Sequence, residues 1–172
     1  NIPLLVDEAH GPHFAFHPEL PTSALAAGAD LTVQSIHKVL AAMTQASMLH
    51  VQGNLIDRNR VSNALQLVQS TSPSYILLAS LDAARQQMAL HGENLMTKTL
   101  QLAQLARTKI SQIPGLSSLE LTPSPGFLAL DRTRLTVTVS GLGLTGFEAD
   151  EILSQSLGVT AELPSLQHLT FI

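Results

Sequence analysis

Leu31-Thr32-Val33-Gln34-Ser35-Ile36-His37-Lys38, residues 31–38, is the stretch on which the fold class turns. Its first residues read as a buried strand over 31–35, and Lys38 falls just past the end of that strand. A second apolar run, Pro3-Leu4-Leu5-Val6, ends at Asp7 and reads as a short, fully buried strand of the kind found in parallel sheets. Between the two, Gly11, Pro12, Pro18 and Pro21 break any periodicity. Ser23-Ala24-Leu25-Ala26-Ala27 reads as a short helix ended by Gly28, and Asp30 leads into the second strand. Strand, helix and strand in this order predict a βαβ unit and hence an α/β protein. In such sheets ligands sit at the carboxyl ends of the strands, so Asp7 and Lys38 are expected to face one pocket.

Composition narrows the function classes. The chain of 172 residues is 45% hydrophobic and 13% charged, enough apolar material for a core and unlike a disordered chain. Its formal charge of −4, with nine Lys and Arg, is not the basic footprint of a nucleic-acid binder. No cysteine is present, which rules out disulfides and thiolate chemistry. No apolar run approaches the ~18 residues of a membrane helix, and no signal peptide is expected. The expectation is a soluble, cytoplasmic protein with no membrane partner. The chain begins at Asn1, almost directly in an expected strand, and stops at Leu169-Thr170-Phe171-Ile172, inside another expected strand. It is therefore expected to be a piece of a longer protein.

Beyond Lys38, residues 47–51 read as a strand, and Asp57 is placed to cap a helix running to about Gln69. Ser70-Thr71-Ser72-Pro73-Ser74 breaks that helix. A second helix is expected from Tyr75 to Gly92, with Ser74 as its N-cap, and a third from Asn94 to Ile113, stopped by Pro114-Gly115. After this, short strands are expected at 119–121, 128–130 and 135–140, a helix at 148–157, and strands at 159–163 and 167–172. A domain change is placed near residue 113.

Each candidate motif has a bland reading beside it. A lysine at a strand end is usually a solvated surface group, but Lys38 has apolar flanks, and a Schiff-base lysine has to be partly desolvated so that its free amine is the nucleophile. Asp7 read alone is a loop aspartate. A buried carboxylate there needs a partner, and a protonated pyridine nitrogen would be one. That ion pair would keep a pyridoxal phosphate ring able to accept electrons from a breaking bond at the substrate's Cα. Asp7-Glu8-Ala9-His10 also spells the second motif of DEAH-box helicases, although the chain carries no G-x-x-x-x-G-K-[ST] phosphate loop. His10, His13 and His17 with Asp7 and Glu8 lack the spacing of a metal cluster, and no metal is expected. Gly141-Leu142-Gly143-Leu144-Thr145-Gly146 matches a dinucleotide fingerprint, but it is read as a glycine-rich strand-to-helix turn. The hydroxyl-rich start of the Tyr75 helix has the form of an anion site, or simply of a capped loop.

Taken in order, these stretches resemble one family. They are Val6-Asp7-Glu8-Ala9-His10-Gly11, Phe16-His17-Pro18, Gly28-Ala29-Asp30-Leu31, Gln34-Ser35-Ile36-His37-Lys38, Thr44-Gln45, Leu49-His50, Ser70-Thr71-Ser72-Pro73-Ser74-Tyr75 and Ala79-Ser80-Leu81-Asp82-Ala83-Ala84-Arg85. They are similar to the Orn/Lys/Arg decarboxylases, pyridoxal-phosphate enzymes of the aspartate aminotransferase fold (fold type I). The match is dense over 3–92 and looser beyond.

The resemblance implies a fold: part of a three-layer αβα large domain over 1–92, a linking helix over 93–113, and the start of a small α+β domain over 114–172. It implies that Lys38 is the Schiff-base lysine, that Asp7 pairs with the pyridinium, and that Ala9 packs on the ring. His10 would stand near the cofactor's 3′ oxygen, and Ser35 and His37 would bind its phosphate. Thr71 or Ser72 would reach the phosphate of a neighbouring subunit, which makes the enzyme a homodimer with a shared active site, or an assembly of dimers. A phosphate loop and a ring-stacking residue would lie upstream. The implied reaction is α-decarboxylation of arginine, lysine or ornithine. The other readings are a DEAH-type helicase fragment and a catalytically silent relative.

Overall fold

The structure is a computed structural model that describes residues 2–122 and 124–172; Asn1 and Pro123 lie outside it. The chain forms two compact units, Asn1–Asn94 and Leu95–Ile172. Mixed α/β structure is present in both.

The first unit is built on a three-stranded sheet in the order β1 (Leu5–Asp7), β2 (Leu31–Gln34), β3 (Met48–Val51). β1 and β2 are parallel, with Asp7 opposite Val33, whereas β3 runs antiparallel to β2, with Thr32 opposite His50. The parallel strand pair of the expected βαβ unit is therefore present. Its crossover differs from expectation. Residues 24–28 form one turn rather than a helix, closed by the Ala27 amide on the Ser23 carbonyl at 2.9 Å and ended by Gly28 at φ +99°. That positive φ is glycine's to adopt, and it stops the turn from propagating. β1 also departs from the buried strand expected of it. Among the described residues it is an edge strand, and Leu5 is 61% exposed.

A short helix α1 (Ile36–Val39) follows β2 directly. α2 (Arg58–Val68) starts as expected, with Asp57 Oδ1 accepting from the Asn59 and Arg60 amides. The two helices expected on either side of Gly92 are one helix, α3 (Tyr75–Ile110), of 36 residues. Ser74 Oγ accepts from the Leu77 amide at its start. Glycine weakens a helix interior but does not end one. At Gly92 it serves packing, because a Cβ there would stand 3.0 Å from Phe16 Cβ.

The second unit holds an antiparallel sheet in the order β4 (Ser117–Ser118), β5 (Leu135–Thr138), β7 (His168–Phe171), β6 (Leu163–Pro164). Helix α4 (Gly146–Leu157) packs on it, and the core gathers Val137, Val139, Ala149, Ala161 and Leu169. The strands expected at 119–121 and 128–130 do not form. Pro125 has no amide hydrogen to give a ladder, and Gly126 turns the chain at φ +82°. Residues 159–161 are likewise not a strand, since the Ala161 amide is held by Asp150 Oδ1 at 2.9 Å. Arg107, only 3% exposed, donates to the carbonyls of Leu119 and Arg134 and pairs with Glu120 at 3.2 Å, tying α3 to the strand region.

The glycine run 141–146 has a packing explanation. A Cβ at Gly146 would meet the Ser165 and His168 carbonyl oxygens at 2.3 and 2.4 Å, and Gly143 sits at φ +72°. The run is a strand-to-helix turn. α4 opens on a capping box between Thr145 and Glu148, and hydrogen bonds from Thr145 hold the Glu148 carboxyl below its ordinary range. Burial lowers the Arg134 guanidinium, against the opposing pull of Asp131 and Glu162.

Candidate active site

The two parallel strands end side by side, and the residues singled out in the sequence follow those ends. The Glu8 amide continues the ladder to the Val33 carbonyl at 2.9 Å, and the Ser35 amide donates back to the Ala9 carbonyl at 3.3 Å. These bonds tie Asp7-Glu8-Ala9 to Ser35 and α1, bringing the carboxylate segment and the lysine segment to one edge of the sheet. Asp7 is exposed, and its Oδ1 accepts from the Ala9 amide at 3.0 Å, closing the turn after β1. Lys38 is also exposed, on a helix of four residues, with its amide on the Ser35 carbonyl at 3.1 Å. The burial expected for Asp7 and Lys38 is not seen. Both stand exposed, at and just beyond the carboxyl ends of β1 and β2.

His37 is better fixed. Its amide and its Nδ1 both meet the Ala46 carbonyl, at 3.2 and 2.8 Å. That carbonyl follows Gln45, which sits at φ +78°. A left-handed non-glycine residue is uncommon and tends to occur where function fixes the backbone. The Nδ1 contact needs a hydrogen on that nitrogen, which leaves Nε2 to face outward chemistry. His10 is exposed next to Ala9. Thr71 and Ser72 lie in the exposed connection between α2 and α3, apart from this bonded cluster, and the Ser72 amide is held by Ser70 Oγ at 3.1 Å. The Met43 amide bonds Ser80 Oγ on α3 at 3.3 Å, so the segment after Lys38 is anchored to that helix.

Three residues to which the decarboxylase resemblance gives no role, Glu8, Gln34 and His50, form a linked polar group here. Glu8 is 8% exposed; its Oε1 accepts from the Ala24 amide at 2.7 Å and its Oε2 from Gln34 Nε2 at 2.6 Å. Gln34 Oε1 in turn meets His50 Nε2 at 3.1 Å. The signal available in the sequence was the period of two along a strand, which sends Asp7 and Glu8 to opposite faces. With both its oxygens engaged, Glu8 is not offered to a magnesium ion and water, as a helicase reading of Asp7-Glu8-Ala9-His10 would need. Among the described residues no group of three His, Cys, Asp or Glu is placed to hold a metal, and no helix is long and apolar enough to cross a membrane. An apolar cavity of about 300 Å³ lies in the second unit, lined by Ile110, Val137, Leu153 and Phe171 among others. It has no titratable lining and belongs to that unit's core.

The donor set suits pyridoxal phosphate. One primary amine and one carboxylate follow adjacent parallel strand ends, and hydroxyl and imidazole donors precede the amine by three residues and one.

The family profile described as Orn/Lys/Arg decarboxylase, major domain, matches residues 1–159. Among curated proteins, the chain is similar to an arginine decarboxylase of Bacillus subtilis (strain 168), with 41% identity over 174 residues, covering 100% of this chain and 36% of the relative. It is equally similar to an arginine decarboxylase of Halalkalibacterium halodurans, at 41% identity over 100% of this chain and 35% of that protein. Among solved structures, the lysine decarboxylase of Francisella novicida superposes with a TM-score of 0.80 at 25% identity, covering 98% of this chain and 29% of that one. The chain spans about a third of the length of the curated relatives it matches.

Proposed function

This chain belongs to the Orn/Lys/Arg decarboxylase family, and from that premise we propose that it carries the cofactor-bearing lysine of a pyridoxal-phosphate-dependent decarboxylase acting on a basic amino acid. The first substrate to consider is arginine, because the relatives named for arginine share more identity with this chain than the lysine decarboxylase of F. novicida does. Lysine and ornithine are the other members of the class.

The reading is supported above all by the parallel pairing of β1 and β2, with Asp7 opposite Val33 and the Ala9 carbonyl bonded to the Ser35 amide. That pairing delivers a carboxylate and an amine to the same end of the sheet, where parallel sheets bind ligands. Lys38 would hold the cofactor covalently through its amine. Asp7 would pair with the ring nitrogen, Ala9, small and two residues on, would lie against the ring, and His10 would stand on the side of its 3′ oxygen. Ser35 and His37 would take the phosphate: with Nδ1 committed to the Ala46 carbonyl, His37 is left with Nε2 to turn towards it. When bound, the cofactor accepts the electron pair left when the Cα–carboxylate bond breaks. Carbon dioxide leaves, Cα takes a proton, and arginine yields agmatine, lysine cadaverine, or ornithine putrescine.

The same reading makes residues 1–92 part of a three-layer αβα domain, 93–113 a linking helix and 114–172 the start of a small α+β domain. It assigns Thr71 and Ser72 to the phosphate in the neighbouring subunit of a homodimer, with larger assemblies built from such dimers. Their exposed position in the α2–α3 connection is compatible with that task.

The test is to load the full-length protein with pyridoxal phosphate, reduce it with borohydride and map the adduct. We expect the label on Lys38 and its loss in Lys38→Ala. A label on another lysine, or none, overturns the reading.

A further inference from the structure

We propose that Glu8 is a positioning residue of this active site, acting through a hydrogen-bond chain, Glu8–Gln34–His50, that runs from the residue after β1 across β2 to β3. The inference rests on the decarboxylase reading above for its effect on turnover, but the chain of bonds stands on geometry alone.

Glu8 sits directly beside Asp7 and points to the opposite face of β1. Its carboxylate has two part-buried donors, the Ala24 amide at 2.7 Å and Gln34 Nε2 at 2.6 Å. Its stem is confined as well, since a Cβ on Gly11 would lie 2.6 Å from Glu8 Cγ. Glycine at 11 is thus what lets the chain fold back over Glu8, closed by the Gly11 amide on the Glu8 carbonyl at 2.9 Å. The residue therefore pins β1 to β2 on one side and to the turn at 24–28 on the other. Asp7 shares its backbone with this pinned residue, and so does the Ala9 carbonyl that meets the Ser35 amide. The relative placement of Asp7 and of the segment leading to Lys38 follows from it.

The carboxylate also sets the direction of every bond in the chain. It can only accept, so Gln34 must turn its NH2 towards Glu8 and its carbonyl oxygen towards His50. His50 must then carry a hydrogen on Nε2 to donate across 3.1 Å. Replacing Glu8 by glutamine keeps the shape but adds a donor. With the Ala24 amide still needing the acceptor, the new NH2 faces Gln34. Gln34 then has to flip, and His50 has to move its hydrogen to Nδ1 and accept on Nε2. Replacing Glu8 by alanine instead leaves the half-buried Ala24 amide and Gln34 Nε2 without this acceptor.

The experiment takes the full-length enzyme with pyridoxal phosphate as wild type, Glu8→Gln and Glu8→Ala. Solid-state nitrogen NMR of histidine-labelled protein, run above the histidine titration range and with His50 identified by loss of its signals in His50→Gln, reads the tautomer. Steady-state kinetics and borohydride mapping read the site. In wild type His50 is the Nε2–H tautomer, and in Glu8→Gln it is the Nδ1–H tautomer. Glu8→Ala keeps the Lys38 label but loses about 10- to 100-fold in kcat, the scale of a catalytic group displaced by a fraction of an ångström to an ångström, and Glu8→Gln restores most of it. A wild-type kcat in Glu8→Ala overturns the positioning role, and an unchanged His50 tautomer in Glu8→Gln overturns the chain. If Glu8→Ala does not fold, the Glu8→Gln tautomer still decides. Absence of label on Lys38 in wild type falsifies the decarboxylase reading instead, while the tautomer result continues to judge the chain.

Discussion

Asp7 and Glu8 are adjacent acids with opposite fates. Asp7 is exposed and closes a turn onto the Ala9 amide, whereas Glu8 is buried and fully bonded. On the proposed mechanism the Asp7 carboxylate stabilises charge on the cofactor ring only as a bond at Cα breaks. Asp7→Ala is therefore expected to leave the borohydride adduct on Lys38 while kcat falls roughly 10²–10³-fold, the range for deleting one preorganised electrostatic partner of a developing charge. Near-normal turnover would sink the role given to Asp7. The position of Asp7 at a strand end was legible from the apolar run before it. The burial of Glu8 was not, because strand alternation separates two faces without saying which is covered. That depends on the Ala24 amide, sixteen residues away along the chain.

Helices show the same division. α2 and α4 begin where their caps stand, at Asp57 and Thr145, because an N-cap is a local bargain between a side-chain oxygen and amides two or three residues on. Thr145→Ala should cost about 1 kcal/mol of stability by removing such a cap. It should also change the acid limb. The Thr145 amide and hydroxyl hold the Glu148 carboxyl below its ordinary range. A depressed carboxyl adds stability above its unfolded-state pKa, and that stability is lost as pH falls through the folded value. Urea titrations of wild type and variant should therefore differ most near neutrality and draw together on acidification. A gap that widens in acid would contradict this. α3 shows the limit of local signals. Gly92 looks like a stop, yet the helix continues past it, because Phe16 occupies the space its missing side chain leaves. Conversely, apolar residues 128–130 look like a strand but find no ladder, and Leu128 is left 88% exposed.

Taken whole, the chain is acidic and α/β, and it belongs to a decarboxylase family of whose curated members it spans about a third. The activity proposed for it is a property of the full-length enzyme. Supplied separately with arginine, lysine and ornithine, that enzyme should release carbon dioxide fastest from arginine, with agmatine identified by mass. Release from lysine or ornithine alone would reassign the substrate, and release from none would remove the decarboxylase activity. The family was legible because several short motifs agree in order and spacing, whereas none of them alone distinguishes a cofactor lysine from a surface one.

Short-range physics made some features legible in the sequence: the caps at Asp57 and Ser74, the apolar runs that become β1 and β2, and the amine and carboxylate at or after their ends. Tertiary structure alone decided the antiparallel course of β3, the single long α3, the double hydrogen bond that holds His37 on the Ala46 carbonyl, and the chain from Glu8 through Gln34 to His50. Each of these depends on a partner brought close only by folding. A bond between residues twenty-six apart, such as that of Glu8 to Gln34, leaves no periodic trace in the chain that makes it.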